Sequence, residues 1–260
     1  MEQLHLPPDR AARLAALTQY FPDAIGPDSP THGGRVAALA ALSRVDPGAY
    51  SRTRNHLRGA VTRLSPYLRH GCLTLNEVRE WALDKSGPSG AYRLVFELAW
   101  RDFWRRVWFA RGDEITRDIE PAKVALGNAP LPDEVTSGNT GLACMDDAIH
   151  ALLSDGYVHN HARMWFAAYV VHFRKIDWRA GADWYVQHLL DGDTASNHLS
   201  WQWVASTFSH KPYFFNRENV LKYTDGEPCM RCKASRDGAC PFDASYDALN
   251  ARLFGNEAHA

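Results

Sequence analysis

Apolar residues recur at intervals of three and four along most of the chain, the spacing that gathers them on one face of an α-helix. In residues 34–45 the pattern is carried by Val36, Leu39, Leu42 and Val45. No stretch sustains the strict alternation of apolar and polar residues that a half-buried strand requires. The pattern therefore predicts an all-α fold, with helices over residues 9–20, 34–45, 75–85, 89–111, 144–155, 157–174, 177–190 and 194–206.

Turn-forming residues interrupt this pattern. The tripeptide Ser-Gly-Pro at residues 86–88 separates two helices, because glycine and proline both disfavour the interior of a helix. Aromatic residues surround the second of these helices, residues 89–111, and this predicts that the helix is buried. Asp177 can cap a later helix. From their Gly, Pro, Asp and Ser content, loops or turns are predicted at residues 22–34, 112–142 and 191–193 and beyond residue 209.

The composition predicts a globular protein of the cytoplasm. Hydrophobic residues make up 45% and charged residues 23% of the 260, and no apolar run reaches the roughly 20 residues that span a bilayer. The first residues lack the basic and then apolar layout of a secretion signal. The net charge of −1 does not by itself indicate a nucleic-acid-binding protein. A local basic cluster, or else a solvated helix face, is formed by Arg52, Arg54, Arg58, Arg63 and Arg69.

Five segments, in order, resemble motifs of the photolyase and cryptochrome family. They are residues 61–71 (VTRLSPYLRHG), 96–104 (FELAWRDFW), 157–164 (YVHNHARM), 176–179 (IDWR) with the turn at 191–193, and 201–207 (WQWVAST). The resemblance covers residues 33–215 and implies the helical FAD-binding domain of that family. The family's α/β domain, which holds an antenna chromophore, has no counterpart, so a short, antenna-less member is expected. Residues 1–32 are then an N-terminal helical extension and residues 216–260 a Cys-rich tail packed on the same domain.

The resemblance also implies a set of FAD contacts. Thr62 and Ser65 correspond to phosphate-binding positions, where hydroxyls and N–H groups at a helix start can satisfy an anion; standing alone, they would be interpreted as helix caps. Asn197 corresponds to the residue that faces the flavin N5 atom, where an amide can both donate and accept. The implied set is Tyr50, Thr62, Arg63, Leu64, Ser65, Trp100, Arg101, Asn160, Arg163, Asp191, Asp193 and Asn197.

Two tryptophans match the electron-transfer chain of the family. Trp201 and Trp178 correspond to its first two members, whose oxidisable indoles pass an electron hole toward the surface. The third member usually falls in the segment that corresponds to residues 112–140, and this segment contains no Trp or Tyr. The path is therefore expected to end elsewhere, with Trp165, Trp184 and Tyr185 as the alternatives, or to be interrupted.

Five residues match positions that contact a cyclobutane pyrimidine dimer in the family: Glu97, Trp100, Asn160, Met164 and Trp203. Flat indoles can stack on flipped bases, and a protonated or hydrogen-bonding Glu97 can stabilise the radical anion that forms when the flavin injects an electron. The resemblance thus implies light-driven, FAD-dependent repair of such dimers in UV-damaged DNA, single- or double-stranded, by a monomer. His161 stands where an arginine is common. Two alternatives stay open: a cryptochrome-like photoreceptor without repair activity, and an iron–sulfur scaffold that binds nucleic acid.

Four cysteines have a spacing typical of metal ligands. Cys229 and Cys232 are separated by two residues, and the turn between such a pair directs both sulfurs at one centre. Cys240 and the more distant Cys144 resemble the remaining cysteines of an iron–sulfur branch of the photolyases, in which a Cys-Pro-Phe closes the set. The resemblance implies a [4Fe–4S] cluster held by Cys144, Cys229, Cys232 and Cys240. Zinc and free reduced thiols are the alternatives.

Overall fold

The computed structural model describes residues 6–22 and 29–255 of the chain. Within these two ranges the backbone is helical and forms no sheet, so the all-α prediction is confirmed. A 3₁₀ turn at Gly112–Thr116 follows α5, and a π-helical turn at Tyr169–Phe173 follows α8. The helices are α1 (Arg10–Tyr20), α2 (Arg35–Ser43), α3 (Pro47–Thr53), α4 (Ser65–Arg69), α5 (Leu75–Arg111), α6 (Asp133–Thr136), α7 (Ala143–Asp155), α8 (Asn160–Ala168), α9 (Trp178–His188), α10 (Thr194–Ala205), α11 (Arg217–Thr224), α12 (Glu227–Arg231), α13 (Lys233–Arg236) and α14 (Tyr246–Phe254).

Short-range signals account for several helix ends. Thr74 begins α5 with a capping box: its hydroxyl accepts from Glu77 N at 3.2 Å, and the Glu77 carboxylate accepts from Thr74 N at 2.8 Å. The same helix breaks at Gly87, with φ 65° and ψ 175°, a conformation that glycine adopts at little steric cost. The predicted break at residues 86–88 is therefore confirmed. Asp177 caps α9 as predicted, accepting from Arg179 N at 2.9 Å.

Some predicted boundaries were wrong. The helix expected over residues 157–174 begins at Asn160 and becomes π-helical at Tyr169. The chain beyond residue 209, expected to be loop-rich, contains α11 to α14. Their N-caps include Asn216 and Ser245, which accept from backbone N–H groups three residues on; the Gly, Pro and Cys content of the tail hid these signals. Part of the predicted loop at 22–34 lies outside the described residues.

Two large hydrophobic cores and a small third cluster around Trp104 and Leu199 hold the helices together. The larger one is built mainly from α7 to α10 and includes the fully buried Trp165, Phe166 and Phe215. Phe242 of the tail belongs to this core, with ring centroids 4.6 Å from Phe215 and 4.9 Å from Phe173. The smaller core joins α2, α4 and α5. In the described part of the chain, no helix combines the length and the apolar character needed to cross a membrane.

The second half of α5 is not buried on all sides, contrary to the prediction. Ala91, Leu94 and Leu98 face the smaller core. Tyr92 and Phe109, by contrast, are 62% and 75% exposed. The prediction failed because a count of aromatic residues does not reveal which faces of a helix have a neighbouring helix to cover them.

Candidate functional site

A buried ion pair joins α8 to the turn that follows α9. Nη2 of Arg163 donates to both carboxylate oxygens of Asp191, at 3.1 and 2.9 Å. Nε of the same guanidinium donates to Val158 O at 2.8 Å. Asp191 is only 6% exposed. Because these contacts fix the planar guanidinium in one orientation, the pair forms a rigid polar wall.

Further predicted residues adjoin this pair. Asp193 caps α10, accepting from Ser196 N at 3.1 Å and from Ser196 Oγ at 2.6 Å. Arg101 reaches the site from α5; burial lowers the pKa of its guanidinium, and the charges of Asp193 and Asp191 act in the opposite direction. Arg69 of α4 lies 4.0 Å from Asp193. Three guanidinium groups therefore surround two carboxylates, and this excess of positive charge suits an anionic ligand.

The same region contains a buried hydroxyl that no neighbour satisfies. Tyr185 is 2% exposed, and its hydroxyl has no hydrogen-bond partner among the described residues. Burial raises the pKa of Tyr185, with Arg163 and Asp191 as its charged neighbours. An unsatisfied buried hydroxyl costs about 1–3 kcal/mol, so a polar atom of a ligand would stabilise this arrangement. The sequence indicates Tyr185 only as an alternative electron-transfer residue, because the lack of a hydrogen-bond partner is visible only in three dimensions.

Asn197 presents its side-chain amide from α10. Its Nδ2 donates to Ala182 O at 2.9 Å, which fixes the plane of the amide. The residue is half-buried. An oriented amide of this kind can offer its carbonyl oxygen to a ligand.

Residues 62–65 form a tight turn in front of α4. The hydroxyl of Thr62 accepts from Leu64 N at 3.3 Å, and Arg63 has φ 52°. The Arg63 guanidinium lies 4.8 Å over the ring of Tyr157. Leu64 is 1% exposed and belongs to the smaller core, so only its backbone can contact a ligand. Ser65 is the first residue of α4, so the turn combines hydroxyls, a cation and a helix start.

Glu97 is held by an arginine that the sequence analysis did not assign to the site. Nη1 of Arg54 lies 3.0 Å from Glu97 Oε1, and Arg93 lies 3.9 Å from the same oxygen. Burial raises the pKa of Tyr50 to about 12, and the nearby Glu97 charge adds to this effect. Arg54 stood out in the sequence only as part of a basic cluster. Its role depends on the packing of α3 against α5, which no local pattern indicates.

The other residues predicted to contact a lesion keep part of their surface accessible. Trp100 is 39% exposed and Asn160 is also exposed. Met164 lies one helical turn after Asn160, with its sulfur 3.9 Å from Asn160 Nδ2. Trp203 is half-buried, and its ring centroid is 5.6 Å from that of Tyr213. All four side chains can therefore be reached by a ligand.

His161 belongs to the protein interior. It is 8% exposed, and its Nδ1 lies 2.9 Å from Asn55 O. Its ring packs 4.5 Å from Trp165 and 4.6 Å from Tyr223, centroid to centroid. Trp165 is 1% exposed and donates through Nε1 to Asn219 Oδ1 at 2.9 Å. Trp165 is therefore itself enclosed, and its ring contacts lead through His161 to the half-buried Tyr223.

Three aromatic rings link Trp201 to the outer face of α9. Phe166 and Tyr185 each contact both Trp201 and Trp184, with the four centroid distances between 5.9 and 6.2 Å. Trp201 is 3% exposed, whereas Trp184 is half-buried. The ring of Trp184 also lies 5.1 Å from that of the exposed His188. These rings form a continuous aromatic connection from the interior to solvent.

Trp178 has different surroundings. It is 1% exposed, and its Nε1 donates to Asp118 Oδ1 at 2.8 Å. The guanidinium of Arg179 lies 5.0 Å over its ring. Arg179 is itself paired with Asp118 at 2.7 Å and with Asp177 at 3.1 Å, so one cation and two carboxylates lie near Trp178.

The four cysteines predicted as ligands line one small cavity between α7 and the tail. All are free thiols. Gly238, with φ 69°, turns the chain after α13 and returns Cys240 to the cavity despite its short spacing from Cys232. Across residues 6–22 and 29–255, no three His, Cys, Asp or Glu side chains are grouped as ligands of one metal ion.

The chain is similar in sequence to known proteins. A family model described as the FAD binding domain of DNA photolyase matches residues 94–227, a little over half of the chain. A deoxyribodipyrimidine photo-lyase of Streptomyces griseus is 38% identical over 149 residues, which cover 57% of this chain and 32% of the relative. A cryptochrome DASH of Ostreococcus tauri is 30% identical over 185 residues, which cover 67% of this chain and 33% of the relative. The chain thus spans about a third of the length of these relatives.

The fold has also been seen in solved structures. The crystal structure of a Synechocystis cryptochrome superposes on all of this chain with a TM-score of 0.73 at 24% identity. The match covers 53% of the cryptochrome. At this identity the likeness establishes the fold, and the match agrees with the helical architecture predicted from the sequence.

Proposed function

Because the chain belongs to the photolyase and cryptochrome family, we propose that it binds FAD and uses light to repair cyclobutane pyrimidine dimers in UV-damaged DNA by electron transfer. The observation that carries this proposal is the group formed by Arg163, Asp191, Arg101 and the unsatisfied Tyr185 hydroxyl. All four residues lie in the segment that matches the FAD-binding family model.

FAD, when bound, supplies a ring that takes up and returns single electrons on illumination. Arg163, Asp191 and Asn197 would hold the ring, with Trp100 and Asn160 at its border. Asp193 would accept from the ribose. The phosphates would be held by the turn at residues 62–65 together with Tyr50 and Arg101. Two observations support this assignment: guanidinium groups outnumber carboxylates at the site, and the Tyr185 hydroxyl lacks, among the described residues, a hydrogen-bond acceptor, which FAD would supply.

Five residues would bind the flipped dimer. Trp100 and Trp203 offer flat apolar walls for the bases, Asn160 can bond to a carbonyl or imide group, and Met164 fills an irregular gap. Glu97 would face the part of the dimer that gains negative charge. Because Arg54 is paired with Glu97 at 3.0 Å, it adds positive charge where the reaction generates negative charge.

We propose that the electron that reduces the flavin before repair enters from Trp184 by way of Trp201. Phe166 and Tyr185 bridge the two indoles, and Trp184 has the partial exposure that the outer end of such a path requires. When Trp184 gives up an electron, its indole N–H proton can pass to water or to the neighbouring His188. An external thiol can then restore the indole by supplying one electron and one proton. Trp178 would be the weaker branch, because its ring is 1% exposed and, among the described residues, has no outlet of its own to solvent.

We also propose that Cys144, Cys229, Cys232 and Cys240 hold a [4Fe–4S] cluster. Their convergence on one cavity supports this assignment, and the cationic Arg217, which also lines the cavity, would offset the negative charge of four thiolates. A cluster here would fasten the tail to α7. Iron and acid-labile sulfide content of the purified protein measures this directly.

A second function, that of a cryptochrome-like photoreceptor without repair activity, is favoured by one observation. His161, which stands where the family commonly has an arginine, is buried and faces the core, so it cannot contact DNA from that position. If this function is the correct one, the protein will be photoreduced but will not act on dimers.

The deciding experiment is repair under blue light. The purified protein is expected to show a flavin absorption spectrum and, after photoreduction, to remove dimers from a UV-irradiated oligonucleotide only when illuminated. Glu97→Ala is expected to lower the repair yield about tenfold or more while the flavin content stays intact, whereas Glu134→Ala, at an exposed carboxylate outside the site, serves as the control. Protein that lacks flavin contradicts the FAD proposal; flavin-loaded protein that does not repair dimers supports the photoreceptor.

A further inference from the structure

Four aromatic side chains form a continuous exposed row along the second half of α5. The aromatic row consists of Tyr92, Phe96, Trp100 and Phe103, spaced by four, four and three residues and therefore on one face of the helix. Neighbouring ring centroids lie 6.0, 6.2 and 5.6 Å apart. The exposed fractions are 62%, 39%, 39% and 44%. A contiguous apolar surface of this kind on a globular protein marks a binding site.

Positive charge surrounds the aromatic row. Residues 89–111 contain five arginines and two carboxylates, although the whole chain has a net charge of −1. The guanidinium of Arg93 lies 5.5 Å over the Phe96 ring, while Arg106 is exposed on the same helix and pairs with Asp102 at 2.7 Å. The packing of α3 against α5 brings Arg54 to the same side. Aromatic rings interleaved with arginines are typical of surfaces that stack unpaired bases and neutralise phosphates.

We propose that the aromatic row is a nucleic-acid contact that binds unpaired bases of a single DNA strand next to the lesion pocket. This inference rests on the proposed function only in assigning Trp100 to that pocket. The row extends beyond Trp100 in both directions, through Phe96 and Tyr92 on one side and Phe103 on the other. A strand that delivers its damaged bases to Trp100 therefore meets further stacking surfaces before and after the lesion.

The geometry favours a single strand over a duplex. The rings follow one another at about 6 Å, whereas stacked bases in a duplex rise by only about 3.4 Å. Bases seated on successive rings must therefore be separated from one another, and paired bases in a stacked duplex do not expose their faces. The charge pattern also argues against a second copy of the chain on this surface, because two arginine-rich faces would repel each other.

The test measures affinity in the dark with undamaged DNA, so it requires neither light nor repair. Fluorescence anisotropy compares a fluorescein-labelled oligothymidine with the same strand annealed to its complement. The full-length protein is expected to bind the single strand more tightly. Tyr92→Ala and Phe96→Ala are each expected to weaken single-strand binding roughly 5- to 100-fold, the effect typical of one lost stacking contact, and to change duplex binding much less.

Matched variants separate the loss of base stacking from the loss of a hydroxyl, of charge or of an aromatic side chain elsewhere on α5. Tyr92→Phe keeps the ring and is expected to bind like the unmodified protein. Phe109→Ala removes an aromatic side chain that is 75% exposed but lies on the opposite side of α5 by helical spacing, and it is expected to have no effect. Arg93→Gln is expected to reduce affinity and the dependence on salt concentration, since it removes one cation near the phosphates.

The outcomes distinguish this inference from the proposed function. Unchanged single-strand affinity in Tyr92→Ala and Phe96→Ala overturns the inference, even if the unmodified protein repairs dimers. Weaker binding of the single strand by Tyr92→Ala and Phe96→Ala supports the inference, even if the unmodified protein repairs no dimer. Sedimentation of the unmodified protein as a dimer that Tyr92→Ala dissociates would show that a second copy covers the row, and that result also overturns the inference.

Discussion

Arg163 and Asp191 form a two-contact ion pair that closes the turn between α9 and α10 against α8. The Asp191 side chain is 4% exposed and that of Arg163 is 25% exposed, so solvent screens the pair only in part. Asp191→Asn would leave the guanidinium without its counter-charge and is expected to lower the free energy of unfolding by about 2 kcal/mol. Flavin content is expected to fall as well. Thermal unfolding and the ratio of flavin to protein absorbance measure the two effects, with the exposed Asp84→Asn as a control. Normal flavin content in Asp191→Asn would contradict the assigned role.

Replacing Trp184 tests the path of the electron. Trp184→Phe keeps an aromatic ring in contact with Phe166 and Tyr185 but removes the readily oxidised indole. It is expected to slow photoreduction several-fold, and more than Trp178→Phe does, whereas Trp201→Phe should slow it most because both branches begin there. Photoreduction is followed by the loss of flavin absorbance in the presence of a thiol. A stronger effect of Trp178→Phe than of Trp184→Phe would assign the main path to Trp178.

His172 makes stability depend on pH. It is fully buried, its Nε2 lies 2.9 Å from Val204 O, and burial lowers its pKa to about 4. Between the ordinary histidine pKa of about 6.5 and this value, the unfolded chain binds a proton that the folded protein does not. The free energy of unfolding is therefore expected to decrease by about 3 kcal/mol as the pH falls through this window. Denaturant unfolding at several pH values measures the slope.

His172→Gln provides the comparison for this effect. Glutamine retains an Nε2 donor for Val204 O but does not titrate, so the pH dependence between about 6.5 and 4 should become flatter. The exposed His210→Gln is the control and should leave the slope unchanged. An identical slope in all three proteins would mean that other histidines account for the acid sensitivity, such as the half-buried His159, whose pKa burial also lowers to about 4.

Four of the five cysteines line the cavity, so replacing one of them should affect iron binding, whereas replacing Cys72 should not. Cys144→Ser is expected to abolish iron binding and to lower the melting temperature, because one of the four thiolate ligands of the cluster is lost. Cys72→Ser changes a thiol that packs against the smaller core and does not line the cavity, so it should retain iron. Iron content and visible absorbance report the difference. Equal iron in both variants would contradict a cluster at this site.

Local sequence patterns predicted those features that depend on neighbours along the chain. The break at Gly87 follows from the conformational freedom of glycine and the restrictions of proline. Asp177 is a helix cap whose carboxylate accepts from the N–H group two residues on. Such interactions need no information about the rest of the fold.

Features that depend on tertiary packing could not be predicted in the same way. The pairing of Arg54 with Glu97 requires α3 to lie against α5. The exposure of Tyr92 and Phe109 depends on which faces of α5 are covered, and the lack of a partner for the Tyr185 hydroxyl depends on residues far apart in the chain. Arginine, aromatic and tyrosine side chains occur in many settings, so their residue types alone do not reveal such relationships.

The position of Phe242 has a consequence for any shortened form of this protein. Its ring fills the space between Phe173 and Phe215 and lies edge-on to Tyr169. A chain cut after residue 215 would open a hole in its own interior and bring these rings into contact with water, which favours aggregation over a smaller folded unit. Through Phe242, residues 216–255 thus complete the larger hydrophobic core.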